Sequence, residues 1–190
     1  MEGSSDSSRA RGQRPKYIPD AAKAVEMILW LANRHKGIDI YHLVKAAYFA
    51  DKMHVREYGR PIVGDEYEAA AYGPLPKVVY GLLCFRPIEV LAASSNGELP
   101  FEVTEAFAVV ASREPNLRQL SESDQRALAH GLEYVRDKSF DELVTITHLE
   151  PAYRNAIDGI VDYRDFFDED DPDRDSKAED LCETARYAVL

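Results

Sequence analysis

The five histidines, and the carboxylates between residues 51 and 68, are where this sequence could hold chemistry. His42 and His54 fall on one predicted helix. Twelve residues of helix separate them by roughly 18 Å, too far to share a metal ion. Neither an HExxH pair nor a two-plus-two Cys/His spacing occurs, so no metal and no cofactor is expected. Asp51, Asp65, Glu66 and Glu68 could be recruited as an acid and base pair, but acidic side chains occur freely on solvated faces, and that is where they are expected. There is no GxSxG elbow, and the glycine spacing matches neither a Walker loop nor a dinucleotide turn. His148 lies near a predicted helix end, where an imidazole can bond free carbonyls and meet the negative end of the dipole, a structural role. An enzyme using Asp51, His54 or His148 would leave no spacing signal, so it stands as the alternative to a protein without catalysis.

The elements that would position these groups are mostly helices. Residues 1 to 17 have no periodic apolar positions, and with Arg9, Arg11, Arg14 and Lys16 they read as a disordered basic arm. From Asp20, a cap, Ala21, Val25, Ile28, Leu29 and Ala32 recur at helical spacing, with Gly37 placed to stop the helix. Asp39 caps a second helix ending at Gly59, which suits a left-handed cap, and Pro61 forbids continuation. Gly64-Asp65 reads as a turn, Tyr67, Ala69 and Ala71 as a small strand, and GPLP (73–76) as the start of a third helix. Residues 86–114 read as a β excursion with Asn96-Gly97 as a hairpin signal. Ser121 and Ser139 open two capping boxes, the second closed by Glu142. Residues 153–163 are expected to form a last short helix before the acidic linker.

The 190 residues carry a net charge of -11, and residues 163–183 hold ten carboxylates against three basic groups. Such a surface repels phosphate backbones, so nucleic-acid binding by the body is not expected. No apolar run approaches the roughly 20 residues needed to cross a bilayer, and two cysteines far apart suggest no disulfide framework. Cytoplasmic location is the default expectation, with no membrane partner. The middle of the chain is rich in tyrosine, a residue as useful in an interface as in a core.

The run LVKAAYFADKMHVREYGRPIVGDEYEAAAYGPLPKVVY, followed by THLEPAY, resembles the Panacea domain, also called the SocA-like antitoxin domain. The likeness rests on Tyr48-Phe49-Ala50 with His54, Tyr58-Gly59-Arg60-Pro61, Tyr72-Gly73-Pro74 and Thr147-His148, and covers about residues 20 to 160. Ala46 and Ala47 stand where the family usually has leucines, and Tyr153 where it usually has tryptophan. The resemblance implies an α+β, predominantly helical single domain over residues 18–162 with a small antiparallel β element. Residues 163–190 would follow as an acidic linker and a short C-terminal helix. It implies a partner toxin neutralised by direct binding, or, as in some relatives, an adaptor that delivers the toxin to a AAA+ protease. Tyr48, Asp51, His54, Tyr58, Arg60, Tyr67, Tyr72 and Pro74 are the expected partner-binding residues. Gly59, Pro61, Gly73, Ser139, Glu142 and His148 are expected to serve the scaffold.

Overall fold

A computed structural model describes residues 14–187. Asp20 accepts a hydrogen bond from the Lys23 amide at 2.9 Å and starts α1 (Ala21–Arg34), which is buried continuously from Lys23 to Ala32. A helix apolar on nearly every side must be wrapped by neighbours. It ends at His35, two residues before the glycine expected to stop it. Asp39 caps α2 (Ile40–Tyr58) by accepting from the His42 amide, and Gly59, at φ 68°, closes it in the left-handed conformation.

Across α2 lies α5 (Glu122–Val135). A Cβ added at Gly131 would fall on the Ala46 carbonyl oxygen and within 2.8 Å of the Ala50 amide nitrogen. The two helices therefore meet backbone to backbone, with the Ala50 methyl as the side chain nearest to Gly131. Both predicted capping boxes are present. Ser121 and Asp124 exchange bonds at the start of α5 (Asp124 N to Ser121 Oγ 3.1 Å, Ser121 N to Asp124 Oδ2 2.9 Å), and Ser139 and Glu142 do so at the start of α6 (Phe140–Leu149).

The stretch GPLP is a strand. β1 (Tyr67–Ala70) pairs antiparallel with β2 (Gly73–Pro76) in the register Tyr67 to Pro76 and Ala69 to Pro74, and α3 (Lys77–Leu83) starts only afterwards. The odd-numbered backbone groups of β1 bond the other way, the Ala69 amide to the Gly159 carbonyl and the Tyr67 carbonyl to the Val161 amide. The prolines thus occupy those positions of β2 whose backbone points away from β1, where no amide is required. That is why a proline pair was compatible with either reading.

Residues 86–114 also depart from expectation. Pro87 opens a helix, α4 (Pro87–Ala93), which lays Val90 against the core, and Asn96-Gly97 belongs to the loop after it. The hairpin lies further on, between β3 (Phe101–Val103) and β4 (Val109–Ala111), and its loop carries Phe107 at φ 62°. After α6, Pro151 starts only a four-residue helix, α7 (Pro151–Arg154), and residues 157–161 run as bridges beside β1 in place of the expected helix.

The acidic segment is a part of the core at its start. Tyr163, Phe166 and Phe167 are buried, with Phe166 edge-on to Tyr48 at 5.4 Å and to Tyr67 at 6.1 Å, in and after a 3-10 turn (Tyr163–Phe166). The final helix, α8 (Arg174–Ala185), buries Leu181. Tyr17, at the end of the expected arm, packs edge-on to Tyr163 at 5.7 Å, so residues 14–17 are in contact with the body. Arg9 and Arg11 lie outside the described residues. Among the described residues no helix is long and apolar enough to cross a membrane.

Helix propensity alone would favour Gly131→Ala by about 1 kcal/mol. The clash with α2 should outweigh this, for a net loss of about 1–3 kcal/mol in urea denaturation. An unchanged or raised midpoint would show that α2 and α5 do not approach this closely.

Candidate functional site

The motif residues converge, but on the interior. Asp124, wholly buried, receives Lys23 Nζ at 3.1 Å from α1, His54 Nε2 at 3.2 Å from α2 and Arg60 Nη2 at 3.1 Å from the loop beyond Gly59. Burial opposes its ionisation, but the hydrogen bond with His54 and the charges of Lys23 and Arg60 prevail, holding its carboxyl well below the usual carboxylate range. His54 Nδ1 lies 2.7 Å from the Arg60 carbonyl oxygen, which requires the proton on that nitrogen, and Nε2 lies 3.1 Å from Ser123 Oγ. Serine, imidazole and an orienting group are thus in hydrogen-bond reach. The ring is completely enclosed, and two of the larger clefts, of about 460 and 590 Å³, are lined by other residues, Lys52, Tyr134 and Glu150 in one and Trp30, Arg34 and Leu117 in the other. What this cluster does is join three helical segments. No group of three or more His, Cys, Asp or Glu among the described residues is placed to hold a metal ion.

Asp51 and Asp65, expected on solvated faces, are buried. Asp51 accepts from the Ile62 amide at 2.7 Å and the Tyr67 hydroxyl at 2.9 Å, and burial pushes its carboxyl up to about 6. Asp65 accepts from the Val78 and Val79 amides, both at 2.9 Å, and so caps α3 from thirteen residues upstream, with burial raising it to about 7. Glu66 and Glu68, by contrast, meet Lys77 at the surface.

A second junction pins the hairpin. Gly73, at φ 94°, sits where any Cβ would strike Thr147 Oγ1, and Lys45 Nζ, 2.8 Å from the Pro74 carbonyl oxygen, fills the adjoining space. Burial lowers the Lys45 ammonium to about 7. The Tyr153 hydroxyl donates to the Ala70 carbonyl oxygen at 2.9 Å. His148 does not bond the helix-end carbonyls: its ring stacks on Tyr153 at 4.5 Å, and its buried Nε2 has no hydrogen-bond partner among the described residues. Tyr-Gly-Pro and Thr-His, distant in sequence, therefore interlock.

Of the eight residues expected to touch a partner, Tyr48, Asp51, His54, Tyr67 and Pro74 are inside, because their rings and polar atoms complete the contacts just described. Arg60 is partly exposed, with its guanidinium turned onto Asp124. Tyr58 is at the surface, its hydroxyl accepting from Arg126 at 2.8 Å, and Tyr72 is 61% exposed at the tip of the β1–β2 hairpin. Around Tyr72 stand residues the sequence did not single out. Phe140 is 5.4 Å from the Tyr72 ring and 4.4 Å from that of Tyr41, whose hydroxyl reaches the Tyr72 carbonyl oxygen at 3.4 Å. The available signal was Phe140 at the first position of a capped helix, which leaves a large apolar side chain outside the inward stripe.

Most of the motif side chains are thus locked inside the helical body, with Tyr58, Tyr72 and Phe140 at its surface. Residues 43–153, from α2 through α7, match the family described as antitoxin SocA-like, Panacea domain, and the chain belongs to that family. No curated protein matches the chain, and no solved structure does.

Removing the Asp124 carboxylate would leave the cations Lys23 and Arg60 without their buried counter-charge and His54 without this partner, so Asp124→Ala should cost about 3–5 kcal/mol in chemical denaturation. Asp51 gives a test in pH. An unfolded aspartate titrates near 3.9 and the folded one at about 6, so its stabilising contribution is complete below pH ~4 and is lost as pH rises through 6. Asparagine mimics the protonated form. Stability of Asp51→Asn relative to the parent should therefore rise by about 2–3 kcal/mol between pH 4 and pH 7.5. A difference that stays flat would place the ionised carboxylate in the fold throughout.

Proposed function

We propose that this protein is a cytoplasmic antitoxin that neutralises one toxin by covering it in a direct protein–protein complex, without bond chemistry or a cofactor of its own. The observation that carries this reading is the match of the whole motif-bearing segment, residues 43–153, to an antitoxin family. The burial of His54, Asp51 and Asp124 supports it, because the groups best suited to acid and base work have no route to a substrate. The exposed aromatics offer large, stiff contact area at small entropy cost. Acidic charge would speed encounter with a basic toxin and disfavour nucleic acid.

The product of the adjacent reading frame is the natural candidate toxin. Mixed at micromolar concentration, the two purified chains are expected to co-elute on size exclusion, and toxicity in cells to fall when both are expressed. Separate elution with toxicity undiminished would refute the reading.

A second reading, delivery of the toxin to a AAA+ protease, is favoured by α8, of whose residues only Leu181 is buried, so that the helix can be drawn away as a tether. Deleting residues 174–187 should then leave toxin binding intact and slow toxin turnover in cells. Turnover at the parental rate would exclude α8 as the tether.

A further inference from the structure

The aromatic residues at the N-terminal end of α2 have a chemistry of their own. Tyr41, Tyr72 and Phe140 form a contiguous platform, Tyr72 and Phe140 being 61% and 42% exposed. The β3–β4 loop reaches the same end of the helix, since the Ile40 amide bonds to the Phe107 carbonyl oxygen at 3.0 Å, and the Phe107 side chain is 67% exposed. The Tyr153 hydroxyl and the Lys45 ammonium hold the hairpin from beneath, and Gly73 packs directly on Thr147 of α6, so the rings are presented by a stiff support.

Carboxylates stand at the edge of the platform. Asp39 and Asp141 both act on the Tyr41 hydroxyl, and Glu105 is exposed in the loop beside Phe107. The neighbouring cations face inward or are already engaged. Lys45 lies 5.1 Å from the Tyr41 ring centroid and bonds the Pro74 carbonyl, Lys138 turns back onto the carbonyl and ring of Tyr134, and His42 is held between Asp39 and the Lys138 carbonyl. Aromatic faces edged by carboxylates attract a guanidinium or ammonium group, through the ring quadrupole and through Coulomb attraction. The outer side of α4, with Ile88 and Leu91 exposed, has no such ring cluster and serves as the contrast.

The geometry points to this platform as the docking surface for a basic protein partner, with partner arginine or lysine side chains lying on Tyr41, Tyr72 and Phe140 between the carboxylates. This rests on the antitoxin reading for the identity of the partner as a toxin, but the recognition chemistry does not depend on it.

Two measurements on the full chain separate the two. In the first, a synthetic peptide of alternating arginine and glycine is the probe, titrated by tyrosine fluorescence. Saturable binding is expected, weakening steeply with salt. It should fall about tenfold or more in Tyr72→Ala/Phe140→Ala, which changes no charge, and in Asp141→Lys, and stay unchanged in Ile88→Ala/Leu91→Ala. Circular dichroism melting checks that each variant is folded, as exposed positions should allow. In the second, the same variants are mixed with the product of the adjacent frame. Parental affinity of the aromatic double variant for both probe and toxin would overturn the platform and leave the antitoxin reading standing. Loss of probe binding in that variant, with a parent chain that never binds the toxin, would uphold the platform and overturn the toxin as its partner.

Discussion

The approach of α5 to α2 governs the rest of the architecture. At Gly131 there is no room for a single methyl group against the backbone of Ala46 and Ala50, so these two helices are set at a distance fixed by main chain rather than by side chains. That distance carries Asp124 into reach of His54, and through His54 and Arg60 it fixes where the chain goes after Gly59. Small residues at a helix seam are usually read as lost packing. Here they let the seam close, and the larger residues gather on the opposite side of α2, where Tyr48 meets Tyr67 and Phe166.

Three buried carboxylates in the interior of this acidic protein are each engaged by several partners. Asp51 and Asp65 each accept two bonds, and Asp124 gathers Lys23, Arg60 and His54 as well as its cap. Such groups cost more than apolar packing when half satisfied, but define one arrangement when every partner is present. They also explain why so many signature side chains are unavailable to a ligand. In the outer layer the hairpin tip, the first turn of α6 and the β3–β4 loop come to the same end of α2.

Much of the scaffold was legible in the sequence because its punctuation is local. Asp20, Asp39, Ser121 and Ser139 bond to amides three residues on, and Gly59 answers to the helix just before it. The misread segments share another property. Proline looks the same at the first turn of a helix as at the blind positions of a strand, so only the pairing with Tyr67 and Ala69 decides how Pro74 and Pro76 are used. The depth of Asp51 depends on Ile62 and Tyr67, and the burial of Phe166 in an acidic run depends on Tyr48, more than a hundred residues earlier. The tyrosines were recognised as a set, but not which of them face outward, because a tyrosine-rich run carries no label for its two sides. Phe140 is outward, resting on the half-buried Tyr41, because two helix starts meet there, a fact of tertiary structure.

The two prolines of β2 have one more effect. With no amide hydrogen at positions 74 and 76, and with the Pro74 carbonyl already taken by Lys45, the outer border of β2, buried at Gly73, Pro74 and Pro76, offers an incoming chain almost nothing to zip onto. Strand addition, a common way for extended peptides to attach themselves, is closed to any ligand on that side. The same absence of amide donors on that border removes a template for edge-to-edge pairing with another strand.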